Sequence, residues 1–211
     1  GRDILFVAFS SQLSGTIQNI YAAREELLQR YPERRMIVVD TLSISLPQSI
    51  LVLKAHELYR QGKTMDEVAA WLEENKSRSQ AFFTVDDLTY LRRGGRISAV
   101  AATVGTMLDL KPIITEGKNG KLLSTDKVRG RKQALRTLAE LAAQNIDDPA
   151  EAEMYVLHAD APEDADRLVQ LLREKIPGLG NIFTRYVGPV IGAHCGPGTV
   201  AVCFFGKERP Y

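Results

Sequence analysis

The chain has 211 residues, and its content of 45% hydrophobic and 25% charged residues is typical of a globular protein and excludes an intrinsically disordered one. Lysine and arginine total 27 against 26 for aspartate and glutamate, which argues against nucleic-acid binding driven by global charge. No apolar run approaches the roughly 20 residues of a transmembrane helix, and no signal peptide is visible. We therefore expect a cytoplasmic protein without stable membrane insertion, whose two cysteines, Cys195 and Cys203, are reduced thiols.

The first part of the sequence alternates between apolar runs and helical segments. Three continuous apolar runs are typical of strands buried on both faces, at residues 4–9, 36–39 and 81–85. Helices are predicted between these runs, at residues 17–30, 48–60 and 64–75, the last opened by a capping box of Thr64 and Glu67. This β-α-β-α-β order predicts a parallel α/β sheet.

The pattern changes near residues 105–110, where we place a domain boundary. Residues 110–128 predict two strands around a turn at Asn119 and Gly120. The remaining predicted elements are a helix at 131–145, a strand at 154–158, a helix at 162–176, and strands at 182–187 and 199–205. No linker rich in proline or serine marks the boundary, so we expect an extensive interface between the two halves.

The segment SSQLSGT, residues 10–16, lies between the first predicted strand and its helix. Open α/β sheets bind ligands at the carboxyl ends of their strands. Free N–H groups at the helix start, the hydroxyl groups and Gly15 together suit an anion such as a carboxylate or phosphate. The alternative is a serine N-cap in an ordinary loop, and the segment is not a Walker A motif.

Two segments concentrate arginine. Arg92, Arg93 and Arg96 lie within Tyr90–Ser98, and Arg129 and Arg131 lie within 127–132. Arginine is the side chain best suited to bind carboxylates and phosphates, although both segments also fit solvated turns. Cations at the start of the helix at 131 oppose its dipole, so we expect an acidic group, such as a partner surface, to compensate them.

The segment GPVIGAHCGPGT, residues 188–199, contains four glycines and two prolines and predicts a tight loop that carries His194. His194 is either a binding residue or a structural histidine. We expect His56, on a predicted helix, to be a surface or core residue, and His158, at the end of a strand, to be an edge residue. The few His and Cys residues give no zinc-ligand spacing. A hydrolase triad of Ser11, His194 and Asp86 is conceivable, but the GxSxG motif is absent.

The segments together resemble the DegV family of bacterial fatty-acid-binding proteins. The matching stretches follow the family's order: SSQLSGT at 10–16, FTVDDLTYLRRGGRIS at 83–98, LKPIITEGKNG at 110–120, KVRGRKQAL at 127–135 and GPVIGAHCGPGTV at 188–200. The resemblance implies two α/β domains, at residues 1–107 and 108–211, with a parallel sheet in the first and a mixed sheet in the second. It also implies a long-chain fatty acid bound in a tunnel between them.

The same resemblance implies a carrier without chemistry of its own. It would need no metal or cofactor and would present the fatty acid to a fatty acid kinase of the dihydroxyacetone-kinase-like type, for acyl-phosphate formation that feeds phospholipid synthesis. Carried over by motif, Ser10 or Ser11 would bind the carboxylate, Gly15 and Thr16 would shape the loop, and His194 would lie beside the head group. The residues expected at the tunnel mouth and kinase interface are Arg96, Arg129 and Arg131.

The sequence departs from the family at two places. About 70–80 residues that usually precede the first motif have no counterpart, and a turn that is usually rich in glycine reads SLPQS at residues 45–49, so we expect a locally different loop there. Two other functions stay open on sequence grounds. One is a serine hydrolase or acyl transferase that uses Ser11 and His194, and the other is a scaffold whose basic loops bind a different partner.

Overall fold

A computed structural model describes residues 1–96 and 109–211 of the chain. The predicted domain boundary at residues 107 and 108 lies outside the described residues and stays a prediction. In the described part, no helix is long and apolar enough to cross a membrane.

The described residues form a mixed α/β fold with two sheets. Strands β1 (Ile4–Ala8) and β2 (Met36–Asp40) form a small parallel sheet, and the six others form a larger sheet in the order β5-β4-β3-β8-β6-β7. Those six strands are β3 (Ser79–Thr84), β4 (Leu110–Glu116), β5 (Leu122–Arg129), β6 (Glu153–His158), β7 (Asn181–Tyr186) and β8 (Val200–Phe205). Of the neighbouring pairs in the larger sheet, β6 and β7 are parallel and the rest are antiparallel.

Among the described residues, the helices are α1 (Thr16–Arg30), α2 (Ser45–Arg60), α3 (Met65–Asn75), α4 (Thr89–Arg93), α5 (Arg131–Asn145), α6 (Pro162–Lys175) and α7 (Pro189–Cys195), with a 3₁₀ turn at Lys76–Arg78. The helices α1, α2, α3, α5 and α6 match the predicted ones. The predicted capping box is confirmed, because Glu67 N donates to Thr64 Oγ1 at 3.3 Å and Thr64 N donates to Glu67 Oε2 at 2.8 Å.

The prediction that β3 continues the parallel sheet is wrong. This strand lies in the larger sheet, antiparallel to β4 and β8, with Phe82 opposite both Thr115 and Val202. All six residues of β3 are buried, so its continuous apolar run correctly indicates two covered faces. Burial of both faces does not specify the direction or the partner of a strand, and that is why the topology could not be read from the run.

The prediction of a loop at residues 188–199 is also wrong in part, because most of this segment forms helix α7. Pro189 occupies the first helical turn, where its missing N–H is tolerated, and Gly188 precedes it as the N-cap. Gly196, with φ of +79°, ends the helix. The glycines and prolines therefore mark the two ends of a helix rather than a continuous loop.

Two apolar layers cover the larger sheet. On one face, α5 and α6 pack against buried residues such as Phe82, Met154 and Phe204. On the other face, Phe83, Ile114 and Ala201 meet side chains from the loops and helices around the small sheet, including Leu13 and Ile44. The second layer is the one that encloses the candidate site.

Candidate functional site

A cavity of about 390 Å³ lies between the small sheet and the larger sheet. This volume is within the usual range of small-molecule sites. Phe6 and Ala8 of β1 line one side, and Phe83 of β3 and Ala201 and Cys203 of β8 line the other. Most of the lining side chains are apolar, so the cavity suits a hydrophobic ligand.

The loop before α1 brings two hydroxyl groups to this cavity. Ser14 and Thr16 both line it, and their hydroxyl oxygens are 2.9 Å apart. Thr16 N donates to Ser14 Oγ at 3.3 Å. The N-cap, Gly15, offers no side chain to the helix N–H groups, and the first turn contains no acidic residue. This corner of the cavity therefore presents donors and a positive dipole end to an anion.

Arg96 brings a positive charge to the same cavity. Its Nε and Nη2 donate to Leu13 O at 3.2 and 3.1 Å, and its Nη1 donates to Gly94 O. The guanidinium thereby joins the end of α4 to the loop that carries Ser14. An arginine fixed in this way provides the cavity with a cation whose position is set by the backbone.

His194 reaches the cavity from α7. Its Nδ1 lies so close to Gly94 that a Cβ at residue 94 would collide with the imidazole ring. A Cβ on Gly196 would likewise collide with the Tyr90 ring, so α4 and α7 pack together at two glycines. These contacts fix the imidazole at the cavity wall, where it can act as a hydrogen-bond donor or acceptor.

Comparison with known proteins decides the family. The family model that describes the sequences of the DegV family, a family of uncharacterised proteins, matches residues 1–207 of this chain. The chain belongs to the DegV family. A DegV domain-containing protein of Clostridium perfringens is 43% identical over 209 residues, which are 99% of this chain and 72% of that protein.

Solved DegV structures have the same fold. One is a DegV family protein of Thermus thermophilus that is described by its fatty-acid binding. It is 31% identical to this chain, and the two structures superpose with a TM-score of 0.82. The match covers 98% of this chain and 71% of that one. The Streptococcus pneumoniae fatty acid kinase B3 protein, loaded with linoleic acid, is 19% identical. Its TM-score is 0.86 over 98% of this chain and 73% of that one, and at this identity the likeness concerns the fold alone.

In the structure of this DegV protein, Ser10 and Ser11 do not line the cavity. Ser10 is fully buried, where its Oγ donates to Gly120 O at 2.8 Å and accepts from Gln12 N at 3.3 Å. Ser11 N donates to Asp40 Oδ1 at 3.3 Å. A carboxylate contact by either serine stays a prediction. Among the hydroxyls of the SSQLSGT segment, those of Ser14 and Thr16 face the cavity.

Sequence reasoning missed Ser14 as a candidate. The available signal was its place directly before the glycine N-cap, because a side chain there lies beside the first free N–H groups of α1. Gly15 is exposed, and a Cβ on it would meet nothing within 4 Å, so close packing in the described structure does not require this glycine.

The three arginines expected at the opening occupy different environments. Arg96 lines the cavity, whereas Arg129 and Arg131 do not. Arg131 Nε donates to Asp164 Oδ2 at 2.7 Å, and its Nη2 donates to Gly198 O. Asp164 therefore supplies, within the chain, the acidic group that the basic start of α5 led us to expect from a partner. Arg129 is exposed at the end of β5.

The other two histidines lie away from the cavity lining. His56 is exposed on α2. His158 is buried, accepts from Ala161 N at 3.3 Å through Nδ1, and packs on Tyr186 with ring centroids 4.5 Å apart. His56 is therefore a surface residue, one of the two positions expected for it, and His158 ends strand β6 as predicted.

The conceivable hydrolase triad is not assembled. In residues 1–96 and 109–211, no hydrogen bond joins any two of Ser11, His194 and Asp86, and Asp86 instead accepts from Lys111 Nζ.

The cysteines Cys195 and Cys203 line the cavity as free thiols, and burial raises the pKa of each above its usual range. Within the same ranges, no group of three or more His, Cys, Asp or Glu side chains is arranged to hold a metal ion.

Proposed function

We propose that this DegV protein binds a long-chain fatty acid in the cavity between its sheets and presents the carboxylate to a fatty acid kinase of the dihydroxyacetone-kinase-like type. The observation that carries the proposal is a largely apolar cavity with a polar corner, which the Arg96 bond to Leu13 O and the close approach of His194 to Gly94 hold together. Apolar walls from both sheets suit an acyl chain, and Ser14, Thr16, Arg96 and His194 suit a carboxylate.

The tail supplies the affinity. Each methylene that leaves water contributes about 0.8 kcal/mol, so an acyl chain of ordinary length offers on the order of 10 kcal/mol before the cost of ordering it. The carboxylate must exchange its hydration for protein donors, because an unpaired buried charge is very costly. The hydroxyl groups of Ser14 and Thr16 and the Arg96 guanidinium can supply those donors.

The carboxylate would stay accessible to the kinase. Thr16 is exposed, and both Ser14 and His194 are only partly buried, so the polar corner faces the opening of the cavity. The kinase would transfer the terminal phosphoryl group of ATP to a carboxylate oxygen, which yields an acyl phosphate and ADP. This DegV protein would contribute the bound substrate and its orientation, and no covalent step of its own.

A relative supports the fatty-acid-binding part of this proposal. The Thermus thermophilus protein, which is 31% identical, is described by its fatty-acid binding. The exposed residues Arg92 and Arg93 at the end of α4, together with Arg129, offer positive charge to a kinase surface.

A displacement titration tests binding. Purified protein is loaded with cis-parinaric acid, a fluorescent fatty acid, and displaced with oleate or with oleyl alcohol, which has the same chain without the carboxylate. We expect oleate to displace the probe at a much lower concentration. Equal displacement by the alcohol would mean that the polar corner does not bind the carboxylate.

A reconstituted reaction tests presentation. A fatty acid kinase, ATP and oleate are incubated with or without the DegV protein, and the acyl phosphate is trapped as a hydroxamate with hydroxylamine. We expect product only with the DegV protein present. Product formation that is equal without it would contradict the carrier role.

A further inference from the structure

The segment 42–45, here called the 42–45 loop, leads from β2 into the first residue of α2. It is strained, and it carries part of the cavity wall. Leu42 and Ser45 have φ of +52° and +46°, a region that residues with a side chain rarely occupy. Ile44 and Ser45 line the cavity, as do Pro47 and Gln48 in the first turn of α2. Such a conformation persists only when the surrounding structure holds it in place.

Two buried charged residues from outside the small sheet hold this loop. Glu116, at the end of β4, accepts from Ile44 N through Oε1 at 2.7 Å. Arg209, in the C-terminal segment, donates from Nη1 to Leu42 O at 2.8 Å and from Nη2 to Ser43 Oγ. Three consecutive loop residues are thereby bonded to the Glu116–Arg209 pair.

The pair is itself fixed to the larger sheet. Arg209 Nε donates to Ser79 O of β3 at 2.9 Å, and its Nη2 lies 3.1 Å from Glu116 Oε2. The exposed fractions of Arg209 and Glu116 are 2% and 1%, and neither residue lines the cavity. The pair therefore lies behind the wall, where the ligand does not reach it.

Stability alone is a weak reason for such a pair. Two apolar side chains of similar volume often stabilise a protein as well as a buried ion pair does, because they avoid the desolvation cost. Apolar side chains cannot, however, donate to Leu42 O or accept from Ile44 N. The contacts that only polar side chains can make include those to the strained loop.

We propose that Glu116 and Arg209 are positioning residues for the ligand site. They hold the 42–45 loop, and with it the wall formed by Ile44 and Ser45, at the distance from the larger sheet that an acyl chain requires. This inference rests on the proposed function, since it names residues that set fatty-acid affinity without touching the fatty acid.

The test uses a double variant, Glu116→Leu with Arg209→Met, which removes the pair and leaves no unpaired buried charge. The matched control is Arg78→Met, because Arg78 also bonds the C-terminal segment, at Gly206 O, but has no hydrogen bond to the loop. A milder variant, Ser43→Ala, removes a single anchor of the loop. Each protein is measured for its urea midpoint, its Kd for cis-parinaric acid and the amide hydrogen exchange of residues 41–48.

We expect the double variant to stay folded, to bind the probe about tenfold or more weakly, and to exchange faster at residues 41–48. Ser43→Ala should shift affinity and exchange in the same direction by less, and Arg78→Met should leave both unchanged. Wild-type affinity and exchange in the double variant would overturn the proposal. If the double variant unfolds, unchanged affinity and exchange in Ser43→Ala would overturn it.

Hydrogen exchange separates this proposal from the proposed function. If the wild-type protein binds no fatty acid, the proposed function fails, and faster exchange at residues 41–48 in the variants would still support positioning of the loop by the pair. If the wild-type protein binds and the folded variants match it in both measurements, only the positioning proposal fails.

Discussion

The Ser10 hydroxyl group donates a 2.8 Å hydrogen bond to the carbonyl oxygen of Gly120, 110 positions away in the sequence. The bond joins the loop after β1 in the small sheet to the turn between β4 and β5 in the larger sheet. Gly120 has φ of +79°, and a Cβ on it would meet Ser10 Oγ at 2.6 Å. The first serine of the SSQLSGT segment thus connects the two sheets beside the candidate site.

This contact predicts that Ser10→Ala lowers the free energy of unfolding by about 1–2 kcal/mol, because the buried Gly120 carbonyl loses its donor. Gly120→Ala should lower the free energy of unfolding further. Its methyl group would collide with Ser10 Oγ, and alanine is strained at the positive φ of this position. Ser11→Ala, whose side chain is partly exposed, is the matched control and should stay within about 0.5 kcal/mol of wild type. Urea unfolding measures all three, and equal stability of Ser10→Ala and Ser11→Ala would contradict this role for Ser10.

The polar corner predicts a different pattern for ligand affinity. Ser14→Ala and Thr16→Val should each weaken oleate binding by up to about tenfold, since a hydrogen bond to a charged group contributes about 1.5–3 kcal/mol and water replaces part of it. Stability should change little, because both hydroxyl groups are accessible to solvent. Ser11→Ala again serves as the control, and a larger loss of oleate affinity in Ser11→Ala than in Ser14→Ala would reverse our assignment.

The contact between Gly94 and His194 predicts that Gly94→Ala is harmful. The added methyl group collides with the imidazole ring, so we expect a loss of about 1–3 kcal/mol in unfolding free energy and weaker oleate binding as His194 is displaced. Gly15→Ala adds the same methyl group where nothing lies within 4 Å and should be tolerated. A Gly94→Ala protein as stable and as tight-binding as Gly15→Ala would show that the close packing is not required.

The pKa of Glu116 predicts a pH dependence of stability. Burial raises this pKa from 4.5 to about 7, although Arg209 and the Ile44 N–H both oppose the shift. At a pH between 4.5 and about 7, Glu116 keeps its proton in the folded protein but loses it in the unfolded chain. Raising the pH through this range therefore lowers the free energy of unfolding, by on the order of 3 kcal/mol at most. Unfolding of wild type and Glu116→Gln at several pH values measures the effect. The difference between the two proteins should change between pH 4.5 and 7 and become flat above that window, and a constant difference would contradict the shift.

Local sequence signals predicted most of the secondary structure. The capping box of Thr64 and Glu67, the proline that opens α6 and the turn at Gly120 act through neighbouring residues, so they could be recognised without knowledge of the fold. The direction of β3 depends on partners at Val202 and Thr115, far along the chain. An apolar run carries no information about such partners, and the parallel assignment failed for that reason.

The site was only partly predictable for a related physical reason. Composition and spacing made the SSQLSGT segment and His194 candidates, and the family resemblance implied their roles at the carboxylate. The direction of each hydroxyl group, however, depends on packing. Ser10 points to Gly120 because the β4–β5 turn lies there, and Ser14 reaches the cavity because it directly precedes the N-cap. Nothing in the sequence near residue 209 indicated that its arginine would bond the loop at 42–45.

The central claim, that this DegV protein carries a fatty acid, is tested most directly by native mass spectrometry of freshly purified protein followed by extraction and identification of any bound lipid. We expect one fatty acid per chain, lost on denaturation and recovered when the lipid-free protein is incubated with oleate. A protein whose mass is that of the chain alone, both as purified and after incubation with oleate, would contradict the account.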